Sequence, residues 1–178
     1  RAVETGLVVD IINAQGALVT RVTDADSAQP CKVVAGTYTL RAYSEDYEYR
    51  YKNLEPGTAK YWAETTFEVT AGETAAPSLQ VPMANMGFFL TLPADFNQWF
   101  TDCSLQFSYG TTTRTLKPGG TVYLDATVNT DIAYTFTAVN IDGETMSKSG
   151  TFAAQAGKLH NVTYKMADQQ IRVTYDFR

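Results

Sequence analysis

The feature that most limits how this chain can fold is a block that occurs twice. Phe67-Glu68-Val69-Thr70-Ala71-Gly72-Glu73 is followed by Leu79-Gln80-Val81-Pro82-Met83-Ala84-Asn85. Phe152-Ala153-Ala154-Gln155-Ala156-Gly157-Lys158 is followed by Val162-Thr163-Tyr164-Lys165-Met166-Ala167-Asp168. In each copy a strand-like segment carries Phe, Ala-Gly turns the chain, and a second strand ends in Met-Ala-Asn or Met-Ala-Asp. From Phe to Met the second copy is two residues shorter. Thr37-Tyr38-Thr39-Leu40-Arg41-Ala42 and Ala133-Tyr134-Thr135-Phe136-Thr137-Ala138 repeat with it, sharing Tyr, a bulky apolar residue and Ala at one spacing. The chain therefore reads as two related β modules in tandem, residues 1–84 and 85–178. Gly72 and Gly157, each after Ala, are expected at turns that need positive φ.

A length of 178 residues accommodates two small domains, each able to bury a modest core without disulfides. Thr, Tyr, Val and Phe are abundant, as strands prefer. A net charge of −5 and a pI near 4.8 argue against binding a phosphate backbone, which needs clustered Lys and Arg. No apolar run approaches a membrane span, and no signal peptide is recognisable, so Arg1 reads as the start of a trimmed or mature form. The two cysteines, Cys31 and Cys103, fall in different halves. They read as separate buried or half-buried thiols, with an interdomain bridge as the minority alternative.

Taken in order, Leu7 to Ile12 and Leu18 to Val22 predict a hairpin around Asn13-Ala14-Gln15-Gly16. Asp24-Ala25-Asp26 has the carboxylate spacing that opens a calcium loop, but lacks the other ligands and the glycine, and reads as a solvated loop. Tyr38, Leu40 and Ala42 alternate with Thr39 and Arg41, placing the first set inward. Thr65 to Val69 and Leu79 to Met83 are expected to close the first module, the latter between Pro77 and Pro82. In the second module Met86 to Leu92, Ser104 to Tyr109, Thr111 to Leu116, Thr121 to Asp125, Ala133 to Ile141, Thr145 to Phe152 and Ile171 to Phe177 all read as strands. Asp95 is placed to cap a short helix whose Phe96, Trp99 and Phe100 share one face as a plug. Short alternating strands with turn signals between them imply all-β sandwiches.

Residues Asp46 to Trp62 have no counterpart in the second module. Tyr47-Glu48-Tyr49-Arg50-Tyr51-Lys52 alternates three Tyr with three charges, which reads as a strand, and its odd-numbered phase requires a bulge or turn at Ser44-Glu45-Asp46. Tyr61 and Trp62 add two more rings. Such amphipathic rings suit stacking on sugars or docking a partner, so Tyr47, Tyr49, Tyr51, Tyr61 and Trp62 are the candidate contacts. They equally suit covering the open end of a small sandwich, and that structural use is favoured. A binder would leave several of them exposed in a groove; a structural subunit would bury them.

No catalytic, cofactor or metal residue stands out. His160 is the one histidine and has no partner for a zinc site. No nucleophile elbow, His-Glu-x-x-His or phosphate loop occurs. The chain is expected not to be an enzyme.

The block Tyr61 to Glu73, then Met83 to Met86, then Asp95-Phe96 through Phe100-Thr101-Asp102 resembles the fimbrillin-like putative cell-adhesion proteins of Bacteroides-type bacteria. The resemblance covers most of the chain. It implies two tandem β-sandwich domains of transthyretin-like or immunoglobulin-like topology and a non-enzymatic cell-surface adhesion or fimbria-like structural role. It further implies export, display on the outer membrane as a lipoprotein, and other fimbrial subunits or surface glycans as partners. The lipidated cysteine of that family is not in this sequence, so the anchor is implied by resemblance only. Asp26-Ser27-Ala28 resembles the site such bacteria O-glycosylate, which makes Ser27 the candidate. The alternative function is a glycan-binding surface module using residues 47–62.

Overall fold

The computed structural model describes residues 6–23, 29–167 and 170–176. The chain is all-β and divides into two compact units: Arg1–Tyr47 with Lys60–Met83, and Glu48–Ala59 with Ala84–Arg178. The segment expected as an aromatic insertion of the first module therefore belongs, from Glu48 to Ala59, to the second unit.

Unit 1 holds β1 (Leu7–Asn13), β2 (Leu18–Val22), β3 (Gly36–Ser44) and β4 (Trp62–Val69), in one antiparallel sheet of order β2-β1-β3-β4. The β1–β2 hairpin forms where the turn signal stands: Gly16 has φ 81 and donates to the Asn13 carbonyl at 2.9 Å. Tyr38 and Ala42 are buried, as alternation requires. Leu79 to Met83 does not form the expected strand. Its single ladder contact is a bridge between Tyr61 and Met83. Pro82 has no N–H to donate, and its carbonyl accepts from Trp62 N–H at 3.4 Å instead.

The expected strand over Tyr47 to Lys52 is a helix, α1 (Tyr47–Asn53). The anticipated break before it is present, with Asp46 at φ 47. Six residues alternating Tyr with charge also satisfy helical spacing, because Tyr47 and Tyr51 are four apart. Glu48 in the first turn, Arg50 and Lys52 in the last, and a Glu48–Lys52 pair at 4.0 Å suit a helix dipole. Asn53 closes the end by donating to the Tyr49 carbonyl at 2.8 Å.

Unit 2 adds β5 (Met86–Thr91), β6 (Phe100–Tyr109), β7 (Thr112–Leu116), β8 (Thr121–Leu124), β9 (Thr130–Asn140), β10 (Thr145–Ala154), β11 (Leu159–Lys165) and β12 (Gln170–Asp176). They form two four-stranded sheets, β10-β9-β6-β7 and β12-β11-β5-β8. One core lies between them, with Phe88, Val162 and Tyr164 from one sheet meeting Leu105, Phe107 and Phe136 from the other. Phe88 stands 4.6 Å from Phe107 and Phe136 stacks on Tyr164 at 4.7 Å, centroid to centroid. The helical plug is smaller than its pattern promised. Phe96–Gln98 is a 3-10 turn, Asp95 makes no side-chain cap, and Trp99 is 55% exposed. Phe96 and Phe100 do stack, at 4.7 Å.

The repeat survives as geometry in its first half. Tyr38 and Phe67 lie 5.9 Å apart at 31°, and Tyr134 and Phe152 lie 5.8 Å apart at 34°. Gly72 and Gly157 take φ 80 and 74, as expected of both. The second half diverges, since β11 is a full strand while Leu79 to Met83 is not. A Cβ at Gly72 would meet no atom within 4 Å, so Gly72→Val costs backbone strain alone. It is expected to destabilise unit 1 by about 1–3 kcal/mol. An unchanged denaturant midpoint for the unit 1 transition would refute that expectation.

Candidate functional site

Of the five candidate rings, two are exposed and three are buried or half-buried. Tyr47 is 8% exposed, with Lys60 Nζ 4.9 Å above its ring. Tyr51 is half-buried and its hydroxyl accepts from the Asp125 N–H at 2.9 Å. Tyr61 is half-buried, its N–H donating to Ser44 Oγ at 2.7 Å. Tyr49 and Trp62 are exposed, at 71% and 45%. They belong to different units, Tyr49 to unit 2 and Trp62 to unit 1. Ser27, with Asp24 and Asp26, lies outside the described residues.

Unit 1 carries a site that sequence reading missed. Register places Arg21 opposite Asp10, Asp10 opposite Arg41, and Arg41 opposite Glu64. Charges of alternating sign thus cross all four strands in one row. Asp10 is 5% exposed, within a run of apolar residues that gave no hint of a partner. Arg21 grips it with two bonds, Nε at 2.7 Å and Nη2 at 3.0 Å, and the Tyr43 hydroxyl donates to it at 3.0 Å. The Arg21 bonds hold the Asp10 carboxyl below its usual range against the opposing effect of burial. Burial first, and then the bond to Asp10, push the Tyr43 hydroxyl up. Arg41 and Glu64 pair at 3.0 Å. A row paired in this way pins the four strands in register.

An open depression of about 360 Å³ lies at the hairpin end of unit 1, lined in part by Asn13, Val19, Lys32, Val34, Thr37 and Tyr38. Two of its polar side chains are committed to local structure. Asn13 Oδ1 accepts from the Gln15 and Ala17 N–H groups, and the Tyr38 hydroxyl donates to the Val34 carbonyl at 2.7 Å. Among the described residues no cluster of His, Cys, Asp and Glu is arranged to hold a metal ion, and no helix is long and apolar enough to cross a membrane.

His160, on β11, is fully buried and stacks on Phe88 at 4.7 Å. Nε2 accepts from the Gln155 N–H at 3.0 Å, so Nδ1 carries the proton toward the Gly87 carbonyl at 2.9 Å. Burial lowers its affinity for a second proton. The folded chain keeps the ring neutral, while the unfolded chain protonates near 6.5. The unfolded state therefore takes up more protons as pH falls. The stabilisation is complete above about 6.5 and is lost progressively below it. Denaturant midpoints of unit 2 should decline from pH 7 toward pH 5, and His160→Gln should flatten that slope. A slope that His160→Gln leaves intact would assign it to other groups. Asp10, with its depressed value, titrates in a separate and more acidic window.

The thiols are free and differ from each other. Cys103 is buried, as expected, and burial, with the Asp102 charge beside it, pushes its thiol up to about 11. Cys31 is exposed, against the expectation of burial. It lies outside the strands, ahead of β3. Alkylation of the native chain at mildly alkaline pH is expected at Cys31 only, with Cys103 reacting after unfolding. A Cys31–Cys103 peptide pair under non-reducing mass spectrometry would contradict this.

Against known families, one model matches residues 3–176: Domain of unknown function (DUF4493). The chain belongs to this family. The DUF4493 match spans both units, with the segment 48–59 of unit 2 included. No curated protein and no solved structure matches the DUF4493 chain.

Proposed function

We propose that this chain is an exported, non-enzymatic cell-surface protein, an adhesion or fimbria-like structural subunit akin to the fimbrillin-like proteins it resembles. The fate of the aromatic segment carries the reading. Of its five rings, Tyr47, Tyr51 and Tyr61 are buried or half-buried and engaged by neighbours, which is how a structural subunit uses such rings. The finer fold reading is that both units derive from one sandwich module of transthyretin-like or immunoglobulin-like topology. The matched Tyr–Phe pairs and the paired positive-φ glycines support it. The natural partners are then other subunits or surface glycans, and the implied location is the outer membrane, through a lipid anchor.

The test is made on the producing cells. Protease treatment of intact cells should remove the chain, and a deletion strain should lose adherence or intercellular aggregation. A chain protected until the cells are lysed would overturn the reading. One observation favours the alternative, a glycan-binding module: Trp62 stands 45% exposed on β4, opposite Tyr43 in register. Binding of the purified chain to immobilised glycans, abolished by Trp62→Ala, would replace the subunit reading with that one.

A further inference from the structure

An open sheet leaves two terminal strands with unpaired outer N–H and C=O groups. Folded proteins blunt such edges by short length, charge, proline, bulges or a covering segment. Most terminal strands here are blunted. β2 has five residues, carries Arg21 and is bulged against β1. β4 carries Glu64 and Glu68, and its Trp62 N–H is taken by Pro82. β7 has five residues with Arg114, and β12 has seven with Arg172. β8 has four residues, and its Tyr123 N–H is taken by the Pro56 carbonyl at 2.8 Å. β10 differs from all of these along Thr145–Phe152. It is ten residues long, ends its sheet, pairs with β9 without a break in register, contains no proline and has Lys148 as its one charge.

The sequence of β10 is self-complementary in one register. Across a twofold axis at Ser149, two copies run antiparallel with Met146 opposite Phe152, Ser147 opposite Thr151 and Lys148 opposite Gly150. Opposite residues share a face, and like charges opposite one another are avoided. The one lysine of the strand meets its one glycine, where there is no side chain to crowd it. That glycine is itself required, because a Cβ there would lie 2.9 Å from the Tyr134 hydroxyl. Met146 and Phe152 are half-buried against the rim of the unit 2 core, so each completes the burial of the other. Ser147 and Thr151 lie on the exposed, uncharged face.

We infer that β10 is a self-association edge: two copies of this chain pair antiparallel through β10, centred on Ser149, joining their four-stranded sheets into one. The pairing goes beyond the surface-subunit reading and stands or falls independently of it. Because each copy carries a net charge of −5, association tightens as salt rises.

Sedimentation equilibrium of the full chain tests it, with a concentration-dependent dimer as the expected result. S147K together with T151K places lysines opposite lysines and should weaken the dimer about tenfold or more. S147K together with T151E places Lys opposite Glu and should restore it. Both positions are exposed, and unchanged melting of each variant confirms that folding is intact. A chain that stays monomeric at all concentrations, or a dimer indifferent to the double lysine, overturns the pairing. A dimer lost equally in both variants overturns the register at Ser149.

Discussion

Removal of Ile171 to Arg178 is expected to unfold unit 2 while unit 1 keeps its own transition. β12 lies beside β11 along the whole strand, from Leu159 opposite Asp176 to Lys165 opposite Gln170. Val173 faces Val162, Ile171 faces Tyr164, and both Ile171 and Val173 pack against the core. Without β12, β11 becomes an edge, and Val162 and Tyr164, now fully buried, lose the neighbours on one side. Two aliphatic side chains are worth about 1.5–3 kcal/mol each when fully buried, and these are partly so. The loss of a seven-residue ladder comes on top, against a typical domain stability of about 5–15 kcal/mol. Chemical denaturation should show one surviving transition, with the unit 2 signal already lost in the absence of denaturant. Two intact transitions in the truncated chain would mean that β12 is an accessory arm.

That prediction rests on a strand legible in the sequence, but the argument from sequence alone would have been incomplete. Alternation identified β12, and the repeated block identified its neighbour β11 as a strand. It did not reveal that β11 also runs parallel to β5, with Leu159 opposite Gly87. Hairpin neighbours follow from turn residues, whereas parallel partners are joined by long connections that leave no local signal. The same limit hid the charge row. Arg41 reads as water-facing from its own strand, but Asp10, Arg21 and Glu64 meet it only once four strands are in register. Local errors have a different origin. Tyr47 to Lys52 satisfies both period two and a spacing of four, and six residues are too few to decide between them. Leu79 to Met83 repeats the sequence of a strand, yet Pro82 removes a donor that its counterpart β11 retains. The positive-φ glycines were legible because that conformation demands a residue type, whatever lies around it.

Arg114→Ala is expected to release the segment Glu48–Ala59 from the rest of unit 2. The last carbonyls of a helix have no partner within it, and Arg114, reaching out from β7, supplies one for α1 and the turn after it. Nη2 donates to the Tyr51 carbonyl at 3.0 Å, while Nη1 donates to Glu55 at 2.6 Å and, at the long limit of 3.4 Å, to Leu54. The guanidinium also lies 4.7 Å from the centre of the Tyr51 ring. Gly57 then brings the chain against β8 at φ 73, where a Cβ would stand 2.9 Å from the Tyr123 carbonyl oxygen. Beyond it the buried Asn85 donates to the Thr58 carbonyl at 3.0 Å. Truncating Arg114 removes the charged donors and the ring contact together, a loss of about 2–3 kcal/mol after allowance for the exposed bonds. Lysine should not rescue it, since one compact ammonium cannot span three carbonyls and stack on a ring. Two readouts separate this from general destabilisation. Limited proteolysis should cut Arg114→Ala between residues 48 and 59 before any other site in unit 2, and the unit 2 midpoint should fall while that of unit 1 holds. If cleavage begins elsewhere and both midpoints hold, Arg114 is not what fastens the segment. The remaining contacts through Tyr51, Pro56 and Asn85 would then suffice.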